Sequence, residues 1–359
     1  PAGIYPLVTT GEARKTAATW QFNAPTVCVP MISAFGHGKA GLKRVQYQEG
    51  KFALASILSA LIVKKPEELL PKFLSVFLNF YKDQLIVPLQ FGAANMSITV
   101  ERLATVPIWF PSLEEQKRIL NLLSEVEILI ALSRETQKRM ANYPPALFNE
   151  FFENQQQKSN KWGAIKIKDA CEFVRGISFS TPDVITRENP DAVACFRTKN
   201  IQENLDTSDI IYIPKRFIRN DKQFLKDGDI LISNANSKEL VGKCCIIEKI
   251  SFVATLGGFI VAARPKQNLV LPLYLYSWMS LPSTQSTFRS LSRQTINIAN
   301  LSMRLVGELD ITLPPLVLQR EFAARVEEAR GVQSAQGKSA GRVEALYQSM
   351  LARAFAGEL

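Results

Sequence analysis

Pro111-Ser112-Leu113-Glu114-Glu115-Gln116-Lys117-Arg118 returns later in the chain as Pro314-Pro315-Leu316-Val317-Leu318-Gln319-Arg320-Glu321. Leu113 and Leu316 stand 203 positions apart, as do Gln116 and Gln319 (319 less 116). The register then holds without a gap. Ile119 meets Phe322, Val126 meets Ala329, Leu129 meets Val332, Met140 meets Val343, Tyr143 meets Leu346, Leu147 meets Met350 and Phe152 meets Phe355. Prolines open both stretches, where a helix accepts them. In the first copy Ile119, Leu122, Val126, Leu129, Met140, Tyr143 and Leu147 recur at the three-and-four spacing of a coiled-coil seam. In the second copy Arg325, Gln336 and Ser339 interrupt the seam, and Gly331, Gly337 and Gly341 lower helix propensity. Ser133 and Thr136 hold the matching middle of the first copy. Both helices are therefore polar at mid-length, which suits polar contacts with each other or with a partner, or else a solvated kink. Pro144-Pro145 should break the first helix near Tyr143.

The repeat extends upstream. Asn95-Met96-Ser97-Ile98 parallels Asn297-Ile298-Ala299-Asn300-Leu301. Lys51-Phe52-Ala53-Leu54, Leu61-Ile62-Val63 and Pro71-Lys72-Phe73-Leu74 parallel Ser251-Phe252-Val253-Ala254, Phe259-Ile260-Val261 and Pro272-Leu273-Tyr274-Leu275. Tyr5-Pro6-Leu7-Val8-Thr9-Thr10 parallels Cys195-Phe196-Arg197-Thr198-Lys199-Asn200. Each half reads as a mixed domain of short strands and a helix or two, closed by one long helix. The expected class is α+β, with domains over 1–110 and 154–312 and long helices over 111–153 and 313–359. The stretch Trp162-Gly163-Ala164-Ile165-Lys166-Ile167-Lys168-Asp169-Ala170-Cys171-Glu172-Phe173-Val174-Arg175-Gly176 has no counterpart in the first half. The first domain is accordingly expected to lack its opening strand and helix.

The 359 residues suffice for two domains with proper cores. A 47% hydrophobic and 21% charged composition is that of a globular chain. The net charge of +10 suits encounter with phosphate polymers, or simply a solvated basic surface. The five cysteines, Cys28, Cys171, Cys195, Cys244 and Cys245, form no Cys-x-x-Cys pair, and His37 is the one histidine. No zinc site of the usual kind is expected, and scattered thiols suit a reducing cytoplasm. The longest apolar stretch, Phe52 to Val63, is too short for a membrane span, and Pro1-Ala2-Gly3 does not open as a signal peptide.

The ordered set of motifs resembles the specificity subunit of type I restriction-modification enzymes. The features that carry the resemblance are the Trp162-to-Gly176 opening, Asp227-Gly228-Asp229-Ile230-Leu231-Ile232-Ser233, the entry Leu313 to Gln319, and the ending Ala354-Phe355-Ala356-Gly357-Glu358-Leu359. The resemblance implies two target-recognition domains, each reading one half of a split double-stranded DNA target. It also implies two long helices packed as an antiparallel coiled coil. Two methyltransferase subunits would bind the helices, and restriction (translocase-nuclease) subunits would join through them. S-adenosylmethionine would sit on the methyltransferase subunits, so this chain is expected to hold no cofactor. Ile119, Leu122, Val126, Leu129, Val326, Val343 and Leu346 are the expected partner-binding positions. Duplicated domains suit two half-sites. A straight helix from Leu113 to about Phe152 would run about 60 Å and act as a spacer between them.

Base readout needs paired donors and acceptors: Arg and Lys for guanine, Asn and Gln for adenine. In the second half the candidates are Arg197, Lys199 and Asn200, then Asn234, Asn236 and Lys238 after the strand ending at Ser233, then Arg289, Arg293 and Gln294. Lys215 and Arg216 look like phosphate contacts. In the first half they are Arg14, Lys15, His37, Lys39, Lys43 and Arg44. Each residue singly is as well explained as a polar loop residue meeting water.

Catalytic readings find little support. There is no Gly-x-x-x-x-Gly-Lys-Ser/Thr loop and no Asn/Asp-Pro-Pro-Tyr/Phe methyltransferase motif. Pro182-Asp183 and Pro190-Asp191 are not followed by the Asp/Glu-x-Lys triplet of a metal nuclease. The competing expectations are a coiled-coil scaffold that binds only proteins and a recognition module of a related defence system.

Overall fold

The structure is a computed structural model, and it describes residues 3–11, 15–35, 38–93, 95–153 and 162–359. The chain forms two compact units, Pro1–Glu135 with Gly337–Leu359, and Thr136–Gln336. The division falls inside both long helices, so each unit is a mixed domain plus part of each helix, rather than the four consecutive blocks read from the sequence.

In the first unit the run Thr26–Pro30, mostly β-branched and buried throughout, forms a central strand. It pairs antiparallel with Gln46–Gln48 and Leu58–Ile62. Tyr5–Val8 runs parallel to Lys51–Leu54 and antiparallel to Lys15–Ala17. The helix Pro71–Tyr81 starts on its proline and buries Phe73, Leu74, Phe77 and Leu78. Phe355, from the far end of the second long helix, packs into this same core at 5.1 Å from Phe80 and 5.6 Å from Phe77.

The second unit repeats the plan. Ile230–Ser233 pairs antiparallel with Cys244–Ile246 and Ile260–Pro265. Ala192–Phe196 runs parallel to Ala254–Leu256. Phe152, the counterpart of Phe355, packs 4.8 Å from Tyr274 and 5.2 Å from Phe322. Strand pairing fixes the repeat more sharply than apolar pattern did. Val8 and Phe196 accept from Ala55 and Gly257 respectively, a shift of 202 on the second strand (257 less 55). The sequence parallels for 51–54 and 61–63 therefore stood two to four residues out of register. The unmatched stretch forms the strand Ala164–Lys166, the helix Ile167–Ala170 and the strand Cys171–Arg175. These strands pair with Asp310–Thr312 and with Ile260–Pro265. Among the described residues, Leu58–Ile62 has no such fourth strand beside it.

The repeated glutamine explains why the opening motif is duplicated. Gln116 and Gln319 are both fully buried. Gln116 accepts from the Leu70 amide at 2.8 Å and donates to the Glu68 and Pro111 carbonyls at 2.8 and 2.9 Å. Gln319 accepts from Leu271 at 2.8 Å and donates to Leu269 and Pro314 at 3.2 and 2.8 Å. Each side chain ties the first turn of a long helix to the start of its domain's own helix, satisfying groups that would otherwise be buried unpaired.

The long helices are Leu113–Ala141 and Leu316–Ala356. The first ends at Ala141 and resumes as Tyr143–Phe148, the break expected from Pro144-Pro145, so the length of about 60 Å for a straight helix does not apply to it. The second, of 41 residues, is about 60 Å long. In the first unit the helices run antiparallel: Tyr347 donates to Glu127 at 2.8 Å and Arg134 reaches Glu344 at 3.5 Å. The seam differs from the sequence reading. Shielded positions fall at Gln116, Ile119, Leu123, Val126, Ile130, Ser133, Gln137 and Met140, and at Gln319, Phe322, Val326, Ala329, Gln333, Gln336, Ala340, Val343, Tyr347, Met350 and Ala354. Leu122, Leu129 and Leu346 stand one position off this series. The reason is that the buried glutamines set its phase, one step from a choice made on leucine content.

Candidate nucleic-acid interface

Each unit carries a small sheet built from segments far apart in sequence. In the second unit Ala235–Asn236, Ala299–Leu301 and Ser292–Gln294 lie side by side, with Ala235 opposite Asn300 and Asn300 opposite Arg293. Directly paired residues share a face. Arg293 and Asn300 are exposed, while the next rung holds buried Ala299. An arginine and an asparagine thus stand side by side on one ribbon, in the residue types that pair with guanine and adenine edges. Asn300 was not among the sequence candidates; its place opposite Arg293 exists only once the hairpin forms.

The remaining candidates of this unit sort differently. Gln294 follows Arg293 along the strand, so it points to the opposite face. Asn236 uses its amide locally, donating to Ser233 Oγ at 3.0 Å and accepting from the Ser237 amide at 2.9 Å. Asn234 is half-buried, and its Oδ1 is buried without a hydrogen-bond partner. Lys238 is exposed and Arg289 half-buried. Asn200 is a correction. It is fully buried, accepts from the Arg197 amide at 2.8 Å and donates to the Asp206 and Asp209 carbonyls at 2.9 and 3.0 Å. Closing that loop consumes its amide. Arg197 and Lys199 both pair with Asp209, which offsets their charge. Lys215 and Arg216 are exposed on a short turn, and the Arg216 guanidinium lies 5.3 Å from the Phe217 ring.

The first unit holds the same three-way pairing in reduced form: Ile32 bridges Ser97, and Ser97 bridges Phe91. Ile32 and Ala235 are 203 apart, as are Ser97 and Asn300. The rung here reads Ile32–Ser97–Phe91, with Ile32 and Phe91 exposed and Ser97 half-buried, where the second unit reads Ala235–Asn300–Arg293, with Ala235 buried and Asn300 and Arg293 exposed. Phe91 carries the Arg102 guanidinium 4.2 Å above its ring, a stacked pair hidden from sequence reading because Arg102 sits eleven residues downstream in a short helix. Lys39 is exposed on a loop closed by Ser33 Oγ donating to the Lys39 carbonyl at 2.6 Å. Gly38 has φ +72°, and a Cβ there would meet the Ala93 carbonyl at 2.5 Å, so glycine is required. Lys15 is exposed on its edge strand. Lys43 is exposed beside Arg44, which opens onto a cavity of about 580 Å³ with Lys72 and Lys82. Arg14 and His37 lie outside the described residues.

Against known proteins, residues 1–141 match the family model for the type I restriction modification DNA specificity domain. Over that stretch the chain is similar to type I specificity subunits. It is 22% identical over 167 residues to the StySPI specificity subunit of Salmonella potsdam and 25% identical over 167 residues to the EcoKI specificity subunit of Escherichia coli K12. Each match covers 46% of this chain and 35% of the relative, so the chain spans about a third of the length of those relatives. The solved S subunit of the M. genitalium type I system aligns over 99% of this chain and 89% of its own, with TM-score 0.57 and 16% identity. A structure reported for complex assembly and conformational transition of the type I R-M system aligns over 97% and 84%, with TM-score 0.61 and 17% identity. At these identities the likeness is one of fold, and that fold is the α+β repeat.

Placed on this specificity-subunit fold, the expected partner-binding positions divide. Ile119, Val126 and Val326 are buried in the chain's own cores, which removes them as outward contacts. Leu122 and Val343 are half-buried. Leu129 and Leu346 are exposed, and Leu129 stands beside exposed Ile128 and Leu132. All five cysteines are free and buried. Burial pushes Cys28 and Cys244 up to about 11, and Cys171, Cys195 and Cys245 up to about 12, so they are poor nucleophiles at neutral pH. Among the described residues no His/Cys/Asp/Glu group is arranged to hold a metal, and no helix is long and apolar enough to cross a membrane.

Proposed function

We propose that this chain is the sequence-reading, non-catalytic subunit of a cytoplasmic type I restriction-modification complex. Each unit reads one half of a split double-stranded DNA site. The long helices carry methyltransferase subunits, which bind S-adenosylmethionine, and restriction subunits join through them. The observation that carries the reading is the paired rung: the same three-segment pairing recurs in both units with different residues, Ile32–Ser97–Phe91 with Ile32 and Phe91 exposed, and Ala235–Asn300–Arg293 with Asn300 and Arg293 exposed. A repeated frame with exchanged residues is what two unlike half-sites call for. The net charge of +10 supports phosphate contact around those rungs, and the exposed Ile128, Leu129 and Leu132 offer an apolar face for a partner.

The test is a binding-site selection. The chain is co-expressed with a type I methyltransferase subunit, and the complex captures randomised duplexes. Two short motifs separated by a fixed gap are expected. A stable complex that enriches no sequence overturns the proposal and leaves a protein scaffold.

A further inference from the structure

The hairpin between Ser292–Gln294 and Ala299–Leu301 ends in an isoleucine that the fold holds out in water. Ile296 is 95% exposed, the most exposed large apolar side chain among the described residues. Leaving it so forgoes the stabilisation that burying such a side chain would contribute. The turn beneath it is locked, since the Thr295 amide and Thr295 Oγ1 both donate to the Ile298 carbonyl at 2.8 Å. A scattered apolar side chain on a surface is ordinary. This one stands at the tip of a ribbon whose exposed rung is Arg293 and Asn300, with Asn297 exposed beside it.

We propose that Ile296 is a specificity contact that seats against the 5-methyl group of a thymine in the major groove. This rests on the DNA-reading function proposed above. The major groove admits a two-stranded ribbon and displays the thymine methyl, which the minor groove does not. Ile296 stands three residues beyond Arg293, past the strand end at Gln294, a reach of at most about 10 Å, against a groove about 8.5 Å deep. The tip therefore arrives at the base edges, and the long Arg293 side chain extends toward the same level from two rungs behind the Thr295–Ile298 turn. In the first unit the corresponding connection is Gly92-Ala93-Ala94-Asn95-Met96, without a branched apolar residue. The methyl contact belongs to the second unit's half-site alone.

The experiment starts from the duplex selected by the complex of the wild-type chain with its methyltransferase subunit. Each thymine is replaced in turn by deoxyuridine, which removes only the methyl group, and affinity is measured for the wild-type chain and for Ile296→Ala. For the wild-type complex one replacement, in one half-site, should weaken binding about fourfold, the equivalent of one buried carbon at about 0.8 kcal/mol. The Ile296→Ala complex should bind the unmodified duplex more weakly and be indifferent to that replacement. The inference fails, with the DNA-reading function intact, if no thymine is methyl-sensitive or if Ile296→Ala keeps the sensitivity. Failure to select any duplex removes both. Ile296 touches no core, so the variant should fold as the parent does, which circular dichroism checks.

Discussion

Replacing Gln319 with methionine keeps the volume of the side chain and removes its three hydrogen bonds. The Leu271 amide, which starts the helix Pro272–Ser280, loses its acceptor at 2.8 Å, and the Pro314 and Leu269 carbonyls lose donors at 2.8 and 3.2 Å. Because Gln319 is fully buried, water does not step in. An orphaned buried donor costs about 1–3 kcal/mol, and the two carbonyls add about 1 kcal/mol each, so the loss should be about 3–5 kcal/mol. Two units need not unfold together, so one midpoint is a poor readout. Amide hydrogen exchange is the better assay. Gln319→Met should raise exchange at Leu271 by about two orders of magnitude or more and leave Leu70 unchanged. Gln116→Met should do the reverse. A loss below about 1 kcal/mol, or unaltered protection at Leu271, would refute the reasoning that these glutamines fasten helix to domain.

Arg264 makes a bidentate pair with buried Asp229 at 2.7 and 2.8 Å and also holds the Phe224 carbonyl at 2.9 Å. Arg264→Ala strands that carboxylate and should cost about 3–5 kcal/mol, visible as a lowered thermal transition of the second unit. Arg293→Ala should relax preference at one base pair at a cost of about 1–3 kcal/mol, whereas Lys215→Ala should weaken all sequences alike and reduce the salt slope by about one; fluorescence titrations at several salt concentrations separate them. The thiols bind their protons more tightly folded than unfolded, since burial raises them from 9.0 to about 11–12. Stability should therefore be flat below about pH 9 and fall as pH rises from there towards 11–12, by up to about 1.4 kcal/mol per thiol per pH unit. Urea titrations at pH 8 and 10 check this.

What the sequence by itself determined was the repeat, the α+β class, the break at Pro144-Pro145 and the two long helices. These rest on local facts: apolar spacing, proline placement and a motif copied at a shift of 203. The pairing of Phe152 with Phe355 was also legible, because the register ran unbroken to both. Only the tertiary structure decided the phase of the seam, since that depends on where Gln116 and Gln319 are clamped, and on which leucine of a neighbouring pair faces inward. It also decided which polar residues are free. Asn200 and Arg293 look alike as loop candidates in sequence. One is consumed by three backbone groups that the fold brings to it, and the other is set beside Asn300 by a hairpin and left in water. A side chain's availability is fixed by the partners that meet it in space, and those partners come from segments the sequence keeps apart.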